Sequence, residues 1–233
     1  EPTPNSLDKL GKTVVEKKAD VGFATDPDGD RLTVVDEKGQ PLGEEYTLTI
    51  CADGFLNSTK STLPLVTNLS TTLALDRVAE KYGCSVIRTA VGEINVVNQM
   101  KECDALLGGE GNGGVILTES HYGRDSLVGA TLFLNRMAQD SKSVSSIFQS
   151  MPQYVIVKNK IDLGTMDPNS VIANIAIKFP NAKISRIDGL KLIWENSWVH
   201  IRKSNTEPLI RIYAEAPTKE EVERLISKIK SSI

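Results

Sequence analysis

Between Glu45 and Met137 the chain alternates apolar segments of strand length with segments of helical periodicity, and few folds accept that order. Leu63 to Val66 reads as a strand. Leu73, Val78, Ala79 and Tyr82 fit a helix that Gly83 stops, since glycine tolerates the left-handed cap. Cys84 to Arg88 is the next strand, Ile94 to Met100 a helix, and Ala105 to Leu107 and Val115 to Leu117 two more strands. Asp125 is placed to cap a helix that runs through Met137. Strands and helices taking turns predict a mostly parallel α/β layer.

The two flanks differ from this middle. Leu7, Leu10 and Val14 fit a short helix, Val21 to Ala24 and Leu32 to Val35 two strands, and Glu37-Lys38-Gly39-Gln40 the turn that closes a hairpin-like unit. Some 40 residues are too few to bury a core, so this unit is expected to lean on neighbouring or missing structure. Ser141 to Pro152 holds a short helix and then a breaker, which places a boundary. Beyond it come strands at Val155–Val157, Ile184–Ile187, Leu190–Trp194, Trp198–Arg202 and Leu209–Tyr213, with a helix over Asn169–Lys178. Thr218-Lys219-Glu220-Glu221 is a capping box opening a helix with Val222, Leu225, Ile226 and Ile229 on one face. The domains expected are therefore 1–44, 45–151 and 152–233, the last a small antiparallel α+β domain. No internal repeat or low-complexity segment is present.

Composition narrows the function classes. With 27 Lys+Arg against 30 Asp+Glu and no dense basic stripe, the chain is a poor match for nucleic acid or an anionic membrane. No apolar run approaches the ~18 residues of a membrane span, and no secretory leader opens the chain. Cys51, Cys84 and Cys103 are too few and too scattered for a disulfide framework or a zinc site, and read as buried thiols of a reducing compartment, the cytoplasm. Glu1 in place of Met points to an upstream piece outside this chain.

Three loops could carry chemistry. In Asp26-Pro27-Asp28-Gly29-Asp30-Arg31, three carboxylates at i, i+2 and i+4 between two strands ask for a positive partner, and a hard divalent cation suits oxygen ligands. A solvated acidic turn is the alternative. An EF-hand is excluded because Arg31 fills its required glycine position and no helices flank the loop. In Gly108-Gly109-Glu110-Gly111-Asn112-Gly113-Gly114, glycines allow close backbone approach while Glu110 and Asn112 offer groups suited to sugar hydroxyls. A glycine-rich tight turn explains that loop equally well. The strand that follows it excludes the dinucleotide fingerprint. Arg202-Lys203-Ser204-Asn205-Thr206-Glu207-Pro208, with Arg211 on the next strand, combines a guanidinium fork, hydroxyls, an amide and loop N–H groups into a phosphate cradle, or equally into a polar hairpin loop that Glu207 and Pro208 brace. Of the two histidines, His200 sits among strand residues and reads as structural. Ser120-His121 lacks an orienting third residue and does not make a nucleophile pair.

Taken in order, Thr25-Asp26-Pro27-Asp28-Gly29-Asp30-Arg31-Leu32, the Gly108–Gly114 run and Arg202-x-Ser204-Asn205-Thr206-Glu207-Pro208 resemble the α-D-phosphohexomutase superfamily of phosphoglucomutases, phosphomannomutases and phosphoglucosamine mutases. The resemblance spans nearly the whole chain, and its first and third motifs are the most specific. That family has four domains, and this chain resembles the end of the second, the mixed α/β third, and the fourth, an antiparallel α+β domain like the TATA-box-binding protein. The resemblance implies Mg2+ held by Asp26, Asp28 and Asp30, with Arg31 near the reacting phosphoryl group. It implies sugar hydroxyls on Glu110 and Asn112, and the phosphate not being transferred on Arg202, Ser204, Asn205 and Thr206 with help from Lys203.

The implied activity is an isomerase of phosphorylated hexoses, an intramolecular phosphotransferase that works through a phosphoserine and a bisphosphorylated sugar. The serine motif of the family is absent here. Thr118-Glu119-Ser120-His121-Tyr122-Gly123 imitates it but follows the sugar loop and lacks its Asn-Pro. The missing N-terminal portion of the same protein is thus an expected partner, and this chain alone is expected to be inactive. Glu93 stands where many relatives place a histidine, no lysine lies near Asn68-Leu69-Ser70, and Asn112 replaces the usual serine. Phosphoglucosamine mutase is the alternative within the class, and a non-catalytic phosphosugar- or metal-binding module the alternative outside it.

Overall fold

A computed structural model of the chain describes residues 4–204 and 209–233. Asn205, Thr206, Glu207 and Pro208 of the third loop lie outside the described residues. After a short 3-10 turn at Pro4–Leu7 comes α1 (Asp8–Lys17), and Leu7 at the end of the turn and Val14 of the helix close on Val35. Val35 belongs to β2 (Leu32–Asp36), which pairs antiparallel with β1 (Val21–Thr25) in a two-stranded ladder. That ladder does lean on its neighbours. Every residue of β2 is buried, and Leu32 O accepts from Thr47 Oγ1 at 2.8 Å.

Thr47 lies on α2 (Glu45–Thr59), a helix buried continuously from Tyr46 to Leu56, as expected of one sandwiched between layers rather than edged by water. The alternating segments follow as β3 (Leu65–Asn68), α3 (Ala74–Lys81), β4 (Val86–Thr89), α4 (Glu93–Glu102), β5 (Leu107–Glu110), β6 (Gly114–Leu117), α5 (Ser126–Asp140) and α6 (Val144–Ser150). Their sheet has the order β4-β3-β5-β6, with β3 parallel to both β4 and β5 and only the β5–β6 pair antiparallel. Asp125 caps α5 through bonds from the Leu127 and Val128 amides. Three strands sit later than their apolar residues suggest, and β4 is one, beginning at Val86 rather than Cys84. Pro64 has no N–H to give, so β3 begins at Leu65 and leaves Leu63 exposed. The fifth strand runs on through Gly108 and Gly109 to Glu110, two glycines that hide it from a propensity reading.

The chain divides into two compact units, Glu1–Pro152 and Gln153–Ile233. In the second, β7 (Val155–Asp162), α7 (Pro168–Lys178), β8 (Lys183–Ser185), β9 (Leu190–Ile193), β10 (Trp198–Lys203), β11 (Leu209–Ala216) and α8 (Lys219–Lys230) build an antiparallel sheet in the order β7-β11-β10-β9-β8. Val199, Ile201, Ile210, Ile212 and Ala214 face one side, where Ile175 of α7 and Val222, Ile226 and Ile229 of α8 complete the core. Thr218 caps α8 by accepting from the Glu221 amide at 3.3 Å. Cys51 and Cys84 are buried, Cys103 is half-buried, and all three are free thiols. No helix among the described residues is long and apolar enough to cross a membrane.

Candidate functional site

The carboxylate turn joins β1 to β2 and folds around its first aspartate. Asp26 Oδ1 accepts from the amides of Asp30 and Arg31 at 3.2 and 3.3 Å, and the Arg31 Nε lies 3.4 Å from Asp26 Oδ2 and 3.9 Å from Asp30 Oδ1. Asp26 and Asp30 both face the Arg31 guanidinium, and their titrations shift in opposite directions. Burial works to raise Asp26, but the amides of Arg31 and Asp30, the Asp30 carboxyl and the Arg31 charge outweigh it and hold it low. Burial raises Asp30; the Arg124 guanidinium opposes this, the Asp26 carboxylate adds to it, and the net direction is up. Asp28 is exposed, and among the described residues no three His, Cys, Asp or Glu side chains form a group that could hold a metal. The structure thus brings Asp26 and Asp30 together and does not bring Asp28 to them. The pair still fits a hard divalent cation: both donors are carboxylate oxygens, and Asp30 Oδ1 is buried without a hydrogen-bond donor.

The glycine-rich segment is less of a loop than its composition suggests, for only residues 111–113 lie between β5 and β6. Glu110, at the end of β5, is 3% exposed. Its Oε1 accepts from Asn68 Nδ2 at 2.7 Å and from the Gly92 amide at 3.1 Å, and its Oε2 accepts from Arg124 Nη1 at 2.7 Å. Both oxygens are therefore aimed by the protein, and a sugar hydroxyl would use the lone pairs left over. Asn112 is half-buried and its Oδ1 accepts from the Gly114 amide at 3.2 Å. The Thr71 hydroxyl, after β3, steadies the loop by accepting from the Gly111 amide at 3.0 Å.

Loop and turn meet. The Leu32 amide donates to Gly113 O at 2.9 Å, and Gly113, with φ of +89°, would place a Cβ 2.4 Å from Leu32 O. Only glycine satisfies both that backbone angle and that approach. On the other flank the amide and hydroxyl of Ser126, at the start of α5, both donate to Gly29 O, at 3.1 and 2.7 Å. Arg124 joins the two segments directly, bonding Asp30 Oδ2 through Nη2 and Glu110 through Nη1. Glu93 lies beside it, accepting from the Arg124 amide at 2.7 Å. Sequence reasoning missed Arg124, Ser126 and Thr71, which carry no recognisable spacing, and knew Asn68 only as a place without a lysine.

The third loop belongs to the other unit. The Ser204 amide donates to Leu209 O at 2.9 Å and closes the hairpin between β10 and β11. Arg202 is half-buried with its Nε 2.9 Å from Asp188 Oδ2, and Lys203 is exposed. His200 is 1% exposed, and its Nε2 lies 2.6 Å from Asp188 O, so it is a structural residue behind Arg202. His121 is exposed and pairs with Asp125 at 3.0 Å.

The chain matches known proteins along nearly its whole length. Three models of the phosphoglucomutase/phosphomannomutase family match in succession: α/β/α domain II over residues 1–39, α/β/α domain III over 43–154, and the C-terminal domain over 154–231. A phosphoglucomutase/phosphomannomutase of Thermococcus kodakarensis is 34% identical over 94% of this chain and 48% of its own length. A phosphoglucosamine/phosphogalactosamine mutase of Sulfurisphaera tokodaii is 30% identical over 100% of this chain and 52% of its own. The chain thus spans about half the length of the curated relatives it matches. A crystal structure of a phosphoglucomutase/phosphomannomutase family protein from Burkholderia thailandensis superposes with a TM-score of 0.83 at 24% identity, covering 99% of this chain and 50% of that one, which shows a common fold. Sequence, domain succession and fold converge on one family, and the chain belongs to the α-D-phosphohexomutase superfamily.

Proposed function

We propose that the protein containing this chain is a Mg2+-dependent phosphohexomutase that interconverts hexose 1-phosphate and hexose 6-phosphate through a phosphoserine and a bisphosphorylated sugar. Within it, 1–44 completes a metal-binding domain, 45–151 is the sugar-binding domain and 152–233 the phosphate-binding domain. Asp26, Asp28 and Asp30 would hold Mg2+, which supplies charge neutralisation for a phosphoryl group in transfer. Asp28, exposed on the turn, would join the other two carboxylates when the cation binds. Arg31, already turned toward that pair, offers its guanidinium to the transferring group. Glu110 and Asn112 orient the sugar through its hydroxyls. Arg202, Lys203, Ser204, Asn205 and Thr206 hold the distal phosphate, so that binding energy remote from the reaction positions it.

The observation that supports this reading above others is the direct attachment of the carboxylate turn to the glycine-rich loop, through the Leu32–Gly113 bond and through Arg124. A merely solvated acidic turn has no need of it. The test is a coupled mutase assay on the product of the complete reading frame, with glucose 1-phosphate, a bisphosphorylated sugar primer and Mg2+. Turnover that EDTA abolishes is expected. Binding of phosphosugar without turnover would assign a non-catalytic module instead. Because relatives acting on amino sugars by name match the whole chain, glucosamine phosphate is the second substrate to compare, by its kcat/KM. The free thiols favour the cytoplasm as the compartment.

A further inference from the structure

We propose that Arg124 is a positioning residue of this site, a single guanidinium that locks the carboxylate turn to the sugar loop and aims one oxygen of Asp30 at the cation. The assignment rests on the function proposed above but on residues that no motif marks. Arg124 is 13% exposed and stands among three carboxylates from three elements: Asp30 of the turn, Glu110 of β5 and Glu93 of α4, whose Oε2 lies 3.6 Å from its Nε. The guanidinium takes Asp30 Oδ2, which leaves Oδ1 buried and without a donor. A carboxylate held by one oxygen presents the other in a fixed direction, as outer-shell partners do for metal ligands. The opposite prong fixes Glu110 Oε2 at 2.7 Å, so the group that would hold the cation and the group that would read the sugar share one rigid fork.

Gly114 makes room for this side chain. A Cβ there would come within 2.2 Å of Arg124 Cδ and 3.0 Å of its Cγ, the middle of the side chain rather than its movable end. Gly114 and Arg124 therefore form a unit. Any side chain at 114 displaces the arginine without removing its charge.

The test compares the 233-residue chain with Arg124→Met, Arg124→Lys, Gly114→Ala and the Arg124→Met/Gly114→Ala double variant. Amide hydrogen exchange is read at residues 26–32 and 111–114, and Mg2+ affinity by NMR titration. Arg124→Met should speed exchange in both segments together and weaken Mg2+ binding roughly 10–100-fold. Arg124→Lys should not rescue either, because one ammonium cannot span both carboxylates. Gly114→Ala should reproduce the loss in the parent and add nothing in the Arg124→Met background. Parent-like exchange in either segment, rescue by lysine, or additive effects of the two substitutions would each overturn the assignment. If Arg124→Met fails to fold, Arg124→Lys and Gly114→Ala carry the comparison. If the parent takes up no Mg2+, the metal part of the proposed function fails, and the exchange cycle alone decides the role of Arg124.

Discussion

Mild acid should loosen the C-terminal unit through a single histidine. His200 is buried on β10 with its Nε2 2.6 Å from Asp188 O, and it faces Lys191 on β9, Tyr213 on β11 and the nearby Arg202 and Asp188 side chains. Burial above all, with help from the Lys191 and Arg202 charges and against the pull of Asp188, lowers its pKa from 6.5 to about 4. The folded unit therefore refuses a proton that the unfolded chain accepts. Stability is at its full value above about pH 6.5 and drains away between 6.5 and 4, by about 1.4 kcal/mol per pH unit and about 3 kcal/mol in all. Both tryptophans of the chain, Trp194 and Trp198, lie in this unit, and Trp198 is fully buried, so tryptophan emission follows its unfolding alone. Urea transitions of the parent and of His200→Gln are recorded from pH 7.5 to 4.5. The gap between the two should change by about 1.4 kcal/mol at pH 5.5 and about 2.6 kcal/mol at pH 4.5 relative to neutral pH. The comparison cancels the carboxylates that also titrate at the acid end. Curves that stay parallel over the whole range would refute the reasoning.

Other expectations follow from the same contacts. On the proposed function, Arg202→Ala in the complete protein would remove a charge-assisted phosphate contact of about 1.5–3 kcal/mol, a ten- to hundredfold loss in kcat/KM that steady-state kinetics would show. Gly113→Ala forces a side chain into a left-handed angle and against Leu32 O, and should lower the stability of the first unit by at least about 2 kcal/mol in thermal unfolding. Arg136→Met strips a partner at 2.6 Å from the fully buried Asp53 and should destabilise the same unit by about 3 kcal/mol, with Lys81 and Tyr82 left to hold the carboxylate. The 233-residue chain by itself should show no mutase turnover in the coupled assay, since no serine of the family's motif lies in it.

The fold was legible wherever local chemistry and global packing ask for the same residue. Asp125 and Thr218 satisfy helix N-termini that they would satisfy in any protein, so their helices are visible from the sequence. The same holds for β2, β4 and the apolar face of α8. Legibility failed at β5, where two glycines weaken the strand signal, although the pairing of Gly108 with Ile116 and Val66 extends the strand to Glu110. The consequence is functional. Glu110 belongs to a sheet and is buried, and Asn68, Gly92 and Arg124 hold its carboxylate, so the sugar contact proposed for it would be preset.

The site itself divides in the same way. Asp26, Asp28 and Asp30 stand out because three carboxylates in five residues repel one another unless something is bound, and that repulsion is written locally. Arg124 is the opposite case. Its partners lie 94 and 14 residues away, and Glu93 lies 31 away, so no spacing rule connects them. Next to Asp125 it reads as one half of an ordinary charged pair. Only the fold, by setting β6 beside β5 and the start of α5 against Gly29, turns that arginine toward the turn. Residues that bind a ligand tend to cluster in sequence because one loop must present them together. Residues that align two loops with each other cannot cluster, since each loop must come from a different stretch of chain. The part of this site hidden from the sequence is accordingly the part that joins its pieces.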